Sequence, residues 1–182
     1  RAFACGPLPG GTYGADILGV SDQALLTMRR QAFSTVRPFS KGRSLSACSI
    51  LREDPCWRAA CAPLLRWSKE IWLAQTRVHP FPLQHPELRQ GWQAVFALDR
   101  FTWPTVKGPL SALRLTLVRL GWVMHNYCTV VDDRGYTLNL CLIPPASWRP
   151  FAKKATIGAS RETWGRSGIS IVAFALMSPK WP

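Results

Sequence analysis

GGTYGADILGVSDQALLTMRRQAFSTV, residues Gly10 to Val36, opens with glycines at positions 10, 11 and 14, which favour a turn over a helix. A short apolar run, Tyr13 to Val20, follows and is broken by Gly19. Ser21-Asp22 then supplies a helix start: a serine that can cap orphan N–H groups, and a carboxylate at the positive end of the helix dipole. Leu25, Met28, Ala32 and Val36 fall on one helical stripe, with Leu26 and Phe33 beside it. Arg29, Arg30 and Arg37 rim that stripe, so the spacing predicts a helix with an apolar face and a basic edge.

Outward from this segment, the helical pattern continues. Pro38 and Ser40-Lys41-Gly42-Arg43 form a basic loop, and a short helix is expected through Leu45, Ala47, Cys48 and Leu51. Asp54-Pro55 is a cap followed by proline at the first helical position. Trp57, Ala60, Cys61, Leu64, Leu65, Trp67, Ile71 and Trp72 then recur at helical spacing, with Arg58, Arg66, Lys69 and Glu70 at polar positions. Pro63 should kink that helix or divide it. The tryptophans Trp57, Trp67 and Trp72 are expected in the core, with base stacking as the alternative.

His79-Pro80-Phe81-Pro82 and His85-Pro86 make a stiff connector. A helix from Pro86 should bury Leu88, Trp92, Val95 and Phe96. Another, from Pro109, carries Leu110, Leu113, Leu117 and Leu120 and stops at Gly121, with Arg114 and Arg119 off the leucine stripe. From Cys128 the period changes: Thr129 to Val131, the turn Asp132-Asp133-Arg134-Gly135, and Tyr136 to Ile143 read as a β-hairpin. Ser147 can cap a short basic helix holding Trp148, Arg149, Phe151, Lys153 and Lys154. Beyond it, 158–168 reads as loop and Ile169 to Met177 as one more strand.

The Tyr13-Gly14-Ala15-Asp16 run, the apolar pair, Gly19 and the Leu/Arg-rich helix resemble the segment just after the polymerase palm of LINE-type (non-LTR) retrotransposon reverse transcriptases. GRSLSACSILREDPCWRAACAPLLRWSKEIW, from Gly42, is similar to the region downstream of the polymerase in dinoflagellate retroelement reading frames. The resemblance covers about the first two fifths of the chain, and its sharp positions are Tyr13, Gly14, Asp16 and Gly19. It implies a thumb or connector whose helices track the template–primer duplex, in a parent RNA-directed DNA polymerase. It also implies the rest of that polyprotein as a partner. Arg1 in place of a methionine suits a piece of a longer product.

Length and composition set the outer bounds. The 182 residues suit one domain or two small ones, and 47% hydrophobic content can supply a core. The longest apolar run, Ile171 to Met177, is far short of the roughly 20 residues a membrane helix needs, so no membrane partner is expected. Net charge is +13. Residues 1–91 hold 12 basic and 6 acidic side chains and the remainder 11 and 4, so the excess is spread along the chain. That distribution fits a folded surface meeting RNA or DNA better than a basic tail, and the preponderance of arginine suits bidentate phosphate contact. The six cysteines contain no CxxC and the three histidines no ligand-like spacing, so no metal or other cofactor is expected and the thiols are read as reduced.

Val130-Val131-Asp132-Asp133 resembles the metal-binding aspartate pair of polymerases, with Asp99 available as a third carboxylate. An aromatic is missing at Val130, and Asp-Asp-Arg-Gly is ordinary turn chemistry. No Walker loop or Gly-x-Ser-x-Gly elbow is present. No catalytic residue is therefore assigned, and the piece alone is not expected to be active.

The sequence thus predicts a mainly α chain with a small C-terminal β-hairpin (α+β), its N-terminal part bundle-like. The expected divisions are a helical thumb-like region over 1–78, a Pro-rich linker over 79–86, helices plus hairpin over 87–157, and a tail over 158–182. The expected activity is nucleic-acid backbone binding through Arg29, Arg30, Arg37, Lys41, Arg43, Arg58, Arg66 and Lys69. The first five of these are expected off the apolar stripe, and so without weight in stability. A helical protein-interaction scaffold, or a decayed retroelement fragment without selected function, are the alternatives.

Overall fold

Ser21 caps as its position requires, its Oγ accepting the Ala24 N–H at 3.2 Å, and α2 follows over Asp22–Ser34. The computed structural model describes residues 10–34, 54–76, 83–98 and 101–156. Val36, Arg37, Lys41, Arg43, the helix expected over 45–51, His79 to Pro82, Asp99 and the strand and tail beyond 158 lie outside the described residues. Ahead of α2, the apolar run forms a single helical turn, α1 (Ala15–Leu18). Gly19 ends it at φ 69°, and a Cβ there would sit 2.6 Å from the Trp103 ring. Only glycine meets both conditions. Within α2, Leu25, Ala32 and Phe33 are buried, as the stripe predicts.

α3 (Trp57–Thr76) begins as expected: Asp54 Oδ1 accepts the Cys56 N–H at 2.9 Å, with Pro55 in the first turn. Pro63 does not divide it, and one helix of 20 residues runs through. The proline removes one hydrogen bond, at about 3 kcal/mol. Against that, Ala60, Cys61, Leu64 and Ile71 are wholly buried around it, and each large side chain contributes about 1.5–3 kcal/mol. Trp57 and Trp67 lie in the core, whereas Trp72 is half-buried.

α4 (His85–Phe96) starts on a capping box in which Glu87 Oε2 accepts the Gln84 N–H at 2.8 Å. Leu88 is buried, and Trp92 stacks on Phe96 with ring centroids 5.4 Å apart. After a 3-10 turn at Trp103–Thr105, α5 (Pro109–Leu120) runs to Gly121, which takes the left-handed φ of 69° expected of a C-terminal stop. Its Leu113, Leu117 and Leu120 are buried.

Three antiparallel strands follow in the order β1 (Val123–Asn126), β2 (Thr129–Val131) and β3 (Thr137–Asn139). The hairpin was legible, but β1 was not, and β3 is shorter than Tyr136 to Ile143. It stops because the Asn139 side chain takes the Cys141 N–H at 2.9 Å and the chain turns back, Leu142 N–H reaching Asn139 O at 3.2 Å. Met124, Val130 and Leu138 are aligned across the sheet and form its inner face. A 3-10 turn at Pro145–Ser147 leads into α6 over 148–156, anchored by the wholly buried Trp148, whose Nε1 donates to Ile143 O at 3.2 Å.

The fold is therefore mainly helical with a small sheet toward the C-terminal side. α1 and α5 pack on α3, α4 packs on α5, and β1 contacts α5. One apolar cluster joins Leu25, Leu64, Ile71, Leu113, Val130, Leu140 and Trp148. No helix among the described residues is long and apolar enough to cross a membrane.

Candidate nucleic-acid interface

Arg58, Ala62, Leu65, Arg66 and Lys69 recur at intervals of three and four on α3, so they share one face of that helix. The face forms one wall of an open concavity of about 350 Å³. Arg149, at the start of α6, and Asp16 of α1 also line it. Four cations against the lining Asp16 and the Glu70 paired with Arg66 leave the depression at +2. The Arg58 guanidinium lies over the Trp57 ring at 5.6 Å, a cation–π contact that orients the charge without neutralising it. Arg66 is held by Glu70, Nε to Oε1 at 2.7 Å, and more loosely by Asp16 at 3.7 Å. With 45% of its side chain exposed, Arg66 is fixed in direction by these pairs, which are weak energetically. Arg66 and Lys69 also line a second, more apolar depression of about 560 Å³ floored by Leu73, Leu88 and Leu110, so they stand on the ridge between the two.

The other predicted contacts divide sharply. Arg29 does not belong to the basic rim: its Nε and Nη2 donate to Asp54 Oδ2 at 3.0 and 2.6 Å, and that carboxylate is 1% exposed. Burial works against the Arg29 charge, but the hydrogen bond and field of Asp54 outweigh it and hold its pKa above the ordinary value. The expectation that Arg29 carries no weight in stability is thus corrected. Arg30, one residue on, is exposed. Arg37, Lys41 and Arg43 lie outside the described residues.

Arg149 is the lining cation that sequence reasoning left out of the set. It appeared only as part of a short basic helix, and nothing in linear spacing joins it to Arg58, 91 positions earlier.

The aspartate pair is occupied locally. Asp132 Oδ1 accepts the N–H groups of Arg134 and Tyr136 at 2.9 and 2.8 Å, and Asp133 Oδ1 accepts Trp122 Nε1 at 3.2 Å. No group of three potential metal ligands is assembled among the described residues. The depression between α3 and α6, by contrast, offers guanidinium and ammonium donors that can meet an anion.

Comparison of the chain with known protein families, with curated proteins and with solved structures finds no match.

Proposed function

We propose that this chain is a non-catalytic nucleic-acid-binding module that holds the phosphate backbone of RNA or DNA through Arg58, Arg66, Lys69 and Arg149. The observation that carries the proposal is the convergence of these four cations, from two helices distant in sequence, on one solvent-open depression. Arg29 is taken up by a buried carboxylate, whereas Arg58, Lys69 and Arg149 line the depression and Arg66, although paired with Glu70, keeps 45% of its side chain exposed. Trp57 is 8% exposed, which leaves its ring to orient Arg58 and not to stack on bases, so backbone contact without sequence preference is expected. The retroelement origin is part of the same proposal and rests on Tyr13, Gly14, Asp16 and Gly19 together with the stretch from Gly42. In that setting the chain is a thumb or connector of an RNA-directed DNA polymerase, tracking its duplex.

The test is a salt titration of duplex binding by the parent and by the Arg58→Gln, Arg66→Gln, Lys69→Gln, Arg149→Gln variant, alongside thermal melts. Each phosphate neutralised contributes about 0.9 to the slope of log affinity against log salt on B-DNA. Losing three to four contacts should therefore flatten the slope by about three and weaken all sequences alike. Equal slopes for two well-folded proteins would remove this depression from the binding surface. Salt-independent capture of a protein partner would favour the scaffold alternative instead.

A further inference from the structure

Asn126-Tyr127-Cys128 and Asn139-Leu140-Cys141 are two copies of one local device. In each, the asparagine Oδ1 accepts the backbone N–H of the cysteine two residues on, at 3.0 Å for Cys128 and 2.9 Å for Cys141. The first copy makes the tight turn between β1 and β2, and the second ends β3. The sheet then sets the copies side by side: Thr129 pairs with Asn139, and Leu140 N–H donates to Cys128 O at 2.8 Å. Both cysteines are free thiols and only half-buried, unlike the enclosed Cys56 and Cys61. Cys141 directly follows Leu140, the donor of that hydrogen bond, and both cysteines pack against the same apolar cluster.

We propose that Cys128 and Cys141 form a vicinal dithiol, a modification site at which a small-molecule disulfide closes the pair into an intramolecular cross-link. One cysteine thiolate attacks the oxidant, here oxidised glutathione, giving a protein–glutathione mixed disulfide and releasing one glutathione thiol. The second cysteine, as its thiolate, attacks the protein sulfur of that mixed disulfide and expels the other glutathione. Two protein thiols are oxidised to one disulfide, and one glutathione disulfide is reduced to two thiols. Burial and the neighbouring thiol push Cys141 up to about 11, consistent with a site that reacts slowly near neutrality and faster as pH rises. The cross-link joins the two turns at one end of the sheet. The first of these is tied to α3 through Trp67 Nε1, which donates to Tyr127 O at 2.9 Å.

The full chain, folded at pH 8, is treated with oxidised glutathione, quenched with acid, denatured, alkylated and weighed intact. The reduced chain has six cysteines to alkylate. Oxidation should leave four labels, with a peptide map joining Cys128 to Cys141. Cys128→Ser and Cys141→Ser should each lose that bridge and hold one glutathione on the remaining partner. Retention of six labels overturns the proposal, as does a bridge mapped to any other pair. The parent's peptide map decides the matter even should either serine variant fold poorly.

Discussion

Adjacent arginines on α2 have unlike fates, and the difference lies in a single carboxylate. Arg29 reaches Asp54, which is 2% exposed and also caps α3, while Arg30 faces water. Asp54→Ala strands a desolvated guanidinium and an uncapped helix at once. The expected loss is about 3–5 kcal/mol, read from urea unfolding at pH 7. Arg30→Gln, by contrast, should stay within about 0.5 kcal/mol of the parent. Equal effects of Asp54→Ala and Arg30→Gln would show that the Arg29–Asp54 pair carries no special weight. Gly19 belongs to the same scale. It was singled out by resemblance to reverse transcriptases, yet its positive φ and the Trp103 ring above it already account for it within this fold.

At the scale of the element, α3 organises the molecule: it caps on Asp54, buries its apolar side against α1 and α5, and turns Arg58, Arg66 and Lys69 outward. Its enclosed side holds Cys61, and Cys56 is buried just before its start; both thiols are pushed up to about 12, by burial first and the Asp54 charge as well. An acid whose pKa is raised on folding stabilises fully below its unfolded value and loses that contribution as pH climbs toward the folded value. From the ordinary value of 9.0 up to about 12, unfolding should therefore become easier, by about 1.4 kcal/mol per pH unit for each thiol. Denaturant midpoints measured between pH 8 and 10.5 check this, and the Cys56→Ala, Cys61→Ala double variant should flatten the fall. An unchanged slope in that variant would mean the thiols are not the titrating groups.

At the scale of the whole molecule, Arg119 ties the N-terminal helices to α5. Its Nε donates to Asp22 Oδ1 at 2.7 Å, its Nη1 to Ala60 O at 3.1 Å and its Nη2 to Val20 O. The guanidinium also lies 4.6 Å over the Trp103 ring, whose Nε1 donates to Asp22 Oδ2 at 3.1 Å. Burial lowers the Arg119 pKa and Asp22 opposes that, yet an arginine stays charged. Only a planar fork reaches three acceptors, so Arg119→Lys should lose about 2–3 kcal/mol, close to the loss for Arg119→Ala. Asp22→Asn should cost less than about 1 kcal/mol, because that carboxylate is 69% exposed. Thermal unfolding of the three variants tests the ranking, and a lysine that restores parental stability would refute the three-acceptor role.

The sequence by itself determined where α2 and α3 begin and where α5 begins and ends. Ser21, Asp54-Pro55, the Pro109 start and the Gly121 stop act within a few residues of where they stand, and helical spacing is a local property. It likewise determined that a hairpin turns at Asp132 to Gly135, though it carried the second strand on to Ile143, past the Asn139 at which β3 ends. Tertiary structure alone decided whether Pro63 would break α3, because burial on both sides had to outweigh one missing hydrogen bond. It decided that β1 would be a strand, since Val123 to Asn126 is extended by pairing with β2 and carries too few residues to show a period. It also decided which cations face solvent together. Charge is legible residue by residue, but Arg29 meets Asp54, and Arg149 comes to share a depression with Arg58, only through long-range packing, and that packing separates a buried ion pair from an open basic depression.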